Sequence, residues 1–306
     1  MLIDFLFRLL ARLPLAWLHC LGGWAGWLVY ACSPSYRRRL RANLALAMGE
    51  PSRALLRQAI AEAGRQVLEL PWVWLRPLDQ VLAKVRAVHG LEVVEAARRD
   101  GAGILFLAPH TGCFEVVGHY CTYAARAPLV ALYRPPRYRP LEPLMRAGRV
   151  RGQMTIAPAD LAGVRQLLKT LRARGMVGVL PDQTPRAGEG VWADFFGCPA
   201  WTMTLGMRLS EVRGVRVIYT WAERLPSGRG YIMHFVPPEE TYAGDLAGRC
   251  AAMNRDIERV IRQCPQQYLW GYNRYKQPRQ ANSETAARIE AAPDDGQAGN
   301  AREVGK

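Results

Sequence analysis

The chain contains the stretch Leu105-Phe106-Leu107-Ala108-Pro109-His110-Thr111-Gly112-Cys113-Phe114-Glu115, in which an apolar run meets a polar corner. Residues 104–108 are all apolar, and a run this short predicts a buried strand. Residues 116–125 predict a helix, and Pro109 and Gly112 suit a turn between the two elements. The stretch therefore predicts a strand that leads through a tight corner into a helix.

His110 and Glu115, five positions apart, are the residue types of an oriented general base. An imidazole takes a proton from an attacking hydroxyl only if its tautomer and direction are fixed, and a carboxylate bound to its other nitrogen fixes both. Residues five apart on one helix lie roughly 140° apart around its axis and do not meet. We therefore expect His110 before the helix and Glu115 in its first turns. The alternative is a His that caps the helix, with Glu115 on the surface.

Helical and apolar segments alternate along most of the chain. Helices are predicted at residues 36–70, 79–87, 91–99, 116–125 and 161–174, and strands at residues 104–108, 130–133, 177–180, 215–221 and 231–236. This alternation predicts an α/β fold with a mixed sheet layered by helices. We assign residues 36–280 to this domain and expect residues 281–306, which lack aromatic side chains, to be disordered.

Residues 13–32 contain no Asp, Glu, Lys or Arg. Twenty helical residues reach about 30 Å, the thickness of a bilayer core. Four arginines follow between positions 37 and 41, against two before the segment, which favours a cytoplasmic position for everything after residue 36. Residues 1–35 are therefore predicted to be a membrane-anchoring segment. A helix lying in the membrane interface is the alternative to a span, whereas the arginine cluster opposes a cleaved signal peptide.

The chain is strongly basic, with a net charge of +15, yet half of its residues are hydrophobic, which excludes a disordered basic protein. All but four of its 41 basic residues are arginine, whose planar fork matches phosphate and carboxylate, so acidic lipid or an acidic protein is a favoured partner. Compositional bias is the alternative explanation. No nucleic-acid-binding motif is visible, and the seven cysteines form no C-x-x-C pair, so we expect reduced thiols and no metal site.

Four sequence blocks occur in an order that is typical of one family. They are Ala108-Pro109-His110-Thr111-Gly112-Cys113-Phe114-Glu115; Tyr133-Arg134-Pro135-Pro136 with Gly148-Arg149-Val150-Arg151; Leu180-Pro181-Asp182-Gln183 with Phe195-Phe196-Gly197-Cys198-Pro199-Ala200; and Pro265-Gln266-Gln267-Tyr268-Leu269-Trp270 with Asn273-Arg274-Tyr275-Lys276. The set resembles the His-x4-Asp/Glu acyltransferases, and specifically the lipid A late acyltransferases. Many members have Gly-Asn-Trp-Glu where this chain has Gly-Cys-Phe-Glu, a difference that bears on local packing or acceptor fit.

The resemblance implies a glycerol-3-phosphate acyltransferase-like fold and an enzyme on the cytoplasmic face of the bacterial inner membrane. It implies transfer of a fatty acyl chain from acyl carrier protein to a hydroxyl of a lipid A precursor, with His110 as general base, Glu115 as its orienter, and no cofactor. An acceptor of another kind, such as a different glycolipid or a lysophospholipid, is the alternative within this class. A catalytically silent basic membrane-binding protein is the alternative outside it.

Acyl transfer also requires groups that bind the anionic parts of the substrates. Arg149 and Arg134 are the candidates for binding these anions. The alternative is a solvated basic loop, which has the same sequence pattern. Asp182 and Gln183 follow a predicted buried strand, where α/β sheets bind their ligands, so we expect them to contact substrate or to support the site. An ordinary cap at the end of the strand is the alternative. Four aromatic residues are expected to line an acyl groove or to belong to the core: Trp192, Phe195, Phe196 and Trp201.

Overall fold

A seven-stranded sheet forms the centre of the protein, whose computed structural model describes residues 2–278. Its strands, in chain order, are β1 (Val85–His89), β2 (Gly103–Leu107), β3 (Leu129–Tyr133), β4 (Met154–Pro158), β5 (Met176–Val179), β8 (Val215–Arg224) and β9 (Tyr231–Val236), and β6 (Gly190–Phe195) and β7 (Cys198–Met203) form a separate antiparallel hairpin. The order across the sheet is β1-β9-β8-β2-β5-β3-β4. Only β8 and β9 pair antiparallel within it. The mixed α/β architecture is therefore confirmed.

Helices cover both faces of this sheet. They are α1 (Leu2–Ala11), α2 (Leu15–Cys32), α3 (Pro34–Met48), α4 (Arg53–Leu68), α5 (Leu70–Leu75), α6 (Leu78–Leu82), α7 (Leu91–Arg99), α8 (Phe114–Ala125), α9 (Glu142–Arg149), α10 (Leu161–Arg172), α11 (Leu205–Ser210) and α12 (Leu246–Gln263). Side chains of β2 alternate between two cores: Leu105 and Leu107 join the core with α10 and α12, while Ile104 and Phe106 join the core with α7 and α8. The period of two along a strand produces this division.

The predicted helix at residues 79–87 is only partly correct. Helix α6 ends at Leu82, and Val85 begins β1, which pairs in parallel with β9. The segment is a short edge strand, so pairing with β9 decides its conformation more than its local pattern does. The tail predicted to be disordered, residues 281–306, lies outside the described residues.

The uncharged segment forms one continuous helix, α2, which begins after Pro14. It packs closely against α4, because a Cβ on Gly26 would collide with the carbonyl oxygen of Ile60 and one on Gly64 with that of Gly22. Within residues 2–278, no helix combines the length and apolarity needed to cross a bilayer. On α1 and α2 large apolar side chains are exposed, namely Phe5, Leu6, Leu9, Trp17, Leu21, Trp24, Trp27, Leu28 and Val29.

Candidate active site

The candidate site lies at the carboxyl edge of two neighbouring parallel strands. His110 follows β2, which ends at Leu107, and Asp182 follows β5, which ends at Val179. Strands β2 and β5 pair directly, with Leu107 opposite Val179. Their carboxyl ends therefore bring His110 and Asp182 together, although 72 positions separate the two residues in the chain.

Asp182 holds His110 with both of its oxygens. The Nδ1 of His110 lies 2.7 Å from Oδ1, and the backbone N–H of His110 donates to Oδ2 at 2.9 Å. Asp182 is only 2% exposed. Burial alone would raise the pKa of Asp182, but the charge and hydrogen bonds of His110 outweigh it and leave this pKa below its usual value. The carboxylate thus stays ionised and keeps the proton of His110 on Nδ1.

The other nitrogen of His110 faces the side chain of Gln183. With the proton on Nδ1, Nε2 carries a lone pair, and the side-chain amide of Gln183 donates to it at 3.1 Å. The ring of Phe114 stands edge-on to the imidazole with 4.9 Å between their centroids. His110 is therefore held on three sides, by Asp182, Gln183 and Phe114.

Glu115 does not contact His110, and the predicted hydrogen bond between them is wrong. Its Oε2 accepts from Trp74 Nε1 at 3.0 Å and from Arg149 Nε at 2.9 Å, and its Oε1 pairs with Arg149 Nη2. Glu115 lies in the first turn of α8, as expected, but its side chain points towards α5 and α9. Burial would raise the pKa of Glu115, and the charge of Arg149 more than offsets this, so the pKa is lowered.

Arg149, expected to bind a substrate anion, is paired with Glu115 inside the protein. Its guanidinium also lies 5.6 Å from the centre of the Tyr133 ring. Because Glu115 neutralises its charge, Arg149 primarily ties α9 to the start of α8. Glu115 and Arg149 also line a small pocket between α8 and the sheet. Its apolar lining includes Phe114, Gly118, Leu129, Ala131, Met154 and Gly178.

Arg134 lies on an open cleft that Gln183 also lines. The other cationic side chains of this cleft are Arg39, Arg137, Arg186 and Lys276. Among residues 2–278, those that line it include no Asp or Glu, and a carboxylate oxygen of Glu189 lies 4.0 Å from Arg134. We call it the basic cleft. It combines an excess of positive charge with Gln183, whose amide contacts His110.

The four aromatic residues divide between core and surface. Phe195 and Phe196 are buried beside Tyr268 and Trp270, as an ordinary core cluster would be. Trp192 is 42% exposed and packs edge-on against Trp201 on the β6–β7 hairpin. Among residues 2–278, no three His, Cys, Asp or Glu side chains are grouped to hold a metal ion.

The corner itself depends on Gly112. Its φ is +59°, and a Cβ there would collide with the carbonyl oxygen of Ala222. The N–H of Gly112 donates to the carbonyl of Gln267 at 3.1 Å, and that of Cys113 to the carbonyl of Ala222 at 2.8 Å. Gln267 and Trp74 were not identified from the sequence as site residues, because neither residue type signals a role without its partners.

Comparison with known proteins gives a consistent match. The family model described as bacterial lipid A biosynthesis acyltransferase matches residues 1–277. The chain is 25% identical to the lipid A biosynthesis lauroyltransferase of Escherichia coli (strain K12) over 274 residues, 88% of each chain. It is 27% identical to the lipid A biosynthesis palmitoleoyltransferase of the same organism over 251 residues, 79% of this chain and 80% of the relative. The protein is thus an acyltransferase, and it belongs to the bacterial lipid A biosynthesis acyltransferase family.

Proposed function

We propose that this enzyme moves a fatty acyl chain from a thioester donor to a hydroxyl of a lipid A precursor, with His110 as general base. The observation that carries the proposal is the clamp of Asp182 on His110, which leaves Nε2 as the only ring nitrogen able to accept a proton. Family membership supports the acyl transfer. We assign to Asp182 the orientation of His110 that the sequence predicts for Glu115.

In the proposed reaction the acceptor hydroxyl displaces the Gln183 amide and donates its proton to Nε2 of His110. The hydroxyl oxygen attacks the thioester carbonyl, and the resulting tetrahedral intermediate collapses by breaking the bond between carbon and sulfur. The imidazolium returns its proton to the departing thiolate. Asp182 stabilises the imidazolium by charge and by its hydrogen bond to Nδ1. No covalent acyl-enzyme is required, because a thiolate is already a good leaving group.

We assign the anionic groups of the substrates to the basic cleft, which Arg134 lines and in which Gln183 contacts His110. Arg149 is paired closely with Glu115, whereas among the described residues the carboxylate of Glu189 lies 4.0 Å from the half-exposed Arg134. Phosphate suits an arginine fork, and both proposed substrates carry phosphate.

We further propose that α1 and α2 lie in the cytoplasmic face of the bacterial inner membrane. Their exposed aromatic and aliphatic side chains are the type that enters the boundary between headgroups and acyl chains. The arginines of α3 follow directly after α2 and suit contact with anionic lipid. An interfacial position of α1 and α2 suits an enzyme whose acceptor is a lipid and whose donor is a soluble acyl carrier protein.

The test is a reaction of the purified full chain with acyl-acyl carrier protein and a lipid A precursor, followed by mass spectrometry of the lipid. His110→Ala should reduce turnover by at least about a hundredfold without lowering the melting temperature substantially. A lysophospholipid and an unrelated glycolipid serve as competing acceptors. Faster acylation of either competitor, or near-normal turnover by His110→Ala, would contradict the proposal.

A further inference from the structure

A buried ion cluster contacts the corner formed by residues 109–113, next to His110. Arg224, the last residue of β8, donates from Nε to Glu69 Oε2 at 2.9 Å and from Nη1 to Glu62 Oε2 at 2.7 Å, and its Nη2 pairs with Glu69 Oε1. Arg224 is 3% exposed and Glu69 is fully buried. Both carboxylates come from α4 or its end, so the cluster joins this helix to the central sheet.

The cluster extends to the peptide groups of Gly112. Arg224 Nη2 donates to the carbonyl oxygen of Gly112 at 3.2 Å, and Gln66 Nε2 donates to the same oxygen at 3.3 Å. Gln267, whose carbonyl accepts the N–H of Gly112, exchanges two hydrogen bonds with the backbone of Arg224, at 2.7 and 2.8 Å. Gly112 is thus held at its N–H and at its carbonyl, two residues beyond His110.

The cluster also extends to α2. The Nε2 of His19, which is 2% exposed, lies 3.2 Å from Glu69 Oε2. Tyr231 donates its hydroxyl to the same carboxylate oxygen at 3.2 Å, and Arg65 Nε donates to the carbonyl of His19 at 3.2 Å. A continuous chain of contacts therefore runs from α2 through Glu69 and Arg224 to the corner that carries His110.

Stability alone is a poor explanation for this arrangement. Removing two carboxylates and a guanidinium from water is costly, and apolar side chains of similar volume often stabilise a core equally well. Burial would raise the pKa of Glu69, but Arg224 and His19 outweigh it and lower this pKa to about 2, so the carboxylate stays charged. What Arg224 supplies, and an apolar side chain does not, is a directed hydrogen bond to the Gly112 carbonyl, beside that of the neutral amide of Gln66.

We propose that Arg224 is a positioning residue, which with Gln66 fixes Gly112 and hence the direction of His110, and that His19 and Glu69 make α2 part of this support. The inference rests on the proposed role of His110 and deepens it. A displacement of about 1 Å at a reacting group can reduce turnover about a hundredfold, so small movements of the corner matter. The segment expected to be an anchor then also holds the catalytic geometry.

The most informative variant is Gln66→Leu, which removes one donor to Gly112 and leaves every ion pair intact. We expect kcat to fall about tenfold or more while KM for both substrates is unchanged, because binding groups are untouched. The pH profile of kcat should also shift, since the environment of His110 changes. Arg224→Lys, which keeps the charge but cannot donate as a fork, should act in the same direction and more strongly.

His19→Phe tests the connection to α2, since it fills the same space without a bond to Glu69. It should lower kcat by a smaller factor than Gln66→Leu does. In the double variant His19→Phe/Gln66→Leu, the decrease in kcat should differ from the product of the two single decreases, because both changes act on the position of Gly112. Tyr242→Phe is the matched control. It removes hydrogen bonds of 2.7 and 2.8 Å to Tyr219 and Asp256, away from Gly112, and should lower the melting temperature alone.

If Arg224→Lys does not fold, the kinetics of Gln66→Leu are sufficient to test whether the cluster positions His110. A variant that melts lower but keeps the wild-type kcat and pH profile would overturn the proposal and make the cluster purely structural. A change confined to KM would overturn it as well. These results differ from failure of the proposed function, which would appear as normal turnover by His110→Ala, whatever the cluster variants do.

Discussion

Asp182 contributes both oxygens to one residue, and each bond has a separate effect. The bond to the backbone N–H of His110 fixes where the residue sits, and the bond to Nδ1 fixes which ring nitrogen carries the proton. Glu115 has a different task, since its partners are Trp74 and Arg149. We therefore expect replacement of Asp182 and replacement of Glu115 to have different effects on turnover and on stability.

Asp182→Asn should lower kcat by about a thousandfold or more, because an amide that donates to Nδ1 favours the wrong tautomer of His110. Glu115→Gln should affect the melting temperature more than kcat, because it leaves the buried Arg149 without its charge partner. Steady-state kinetics and thermal melts of both variants distinguish the two roles. Full turnover by Asp182→Asn, with turnover lost in a well-folded Glu115→Gln, would restore Glu115 as the orienter.

His119 should make stability depend on pH. Its Nε2 lies 2.9 Å from the carbonyl of Gly148, and burial, with help from the charge of Arg151, lowers its pKa from 6.5 to about 4. Between these values the unfolded chain binds a proton that the folded chain does not. The free energy of unfolding should therefore decrease as the pH falls through this window, by roughly 1.4 kcal/mol per unit.

His119→Gln keeps a donor for Gly148 and removes the titration. Denaturant unfolding between pH 6.5 and pH 4, the limits set by the lowered pKa, should show a flatter profile for the variant than for the wild type. An identical slope in both proteins would assign the acid sensitivity to other groups.

Among the elements, those whose pattern is local were predictable from sequence. Helix α7 and strand β9 have the predicted bounds, and β2 differs by a single position. The neighbourhood of Asp182 was visible because it follows a buried strand. Its pairing with His110 was not, because that depends on β2 and β5 being neighbours. Closeness in sequence favours Glu115 as the partner of His110, whereas its hydrogen bonds to Trp74 and Arg149 decide the direction of its side chain.

Removal of residues 1–35 should destabilise the enzyme as well as release it from membranes. The sequence predicts a membrane anchor in this segment, and in the structure α2 also packs backbone to backbone on α4 and contacts Glu69 through His19. The truncated chain should melt substantially lower and lose turnover even with a detergent-dispersed acceptor. Normal melting and turnover of the truncated chain in detergent would show that the segment is only an anchor.

At the scale of the whole molecule, a net charge of +15 should favour a strongly acidic donor. Coenzyme A is also anionic, so charge alone does not separate the two thioesters; membership of the lipid A acyltransferase family is the reason to expect acyl-acyl carrier protein to be preferred over acyl-coenzyme A of equal chain length. The rate at subsaturating donor should fall as salt rises, because ions screen charges beyond about 8 Å at physiological strength. Equal use of both thioesters would overturn the donor assignment. A rate independent of salt would show that the arginine excess is not a docking surface.

Gln183 has a consequence for the competition between the acceptor and water. A base that activates hydroxyl groups next to a bound thioester also activates water, and every such event wastes an acyl chain. In the resting enzyme the amide of Gln183 occupies Nε2 of His110 at 3.1 Å, so a water molecule must displace it to react. Gln183→Ala should therefore release more free fatty acid per acyl chain transferred, measurable as donor hydrolysis without acceptor, whereas an unchanged ratio would mean that water is excluded by other means.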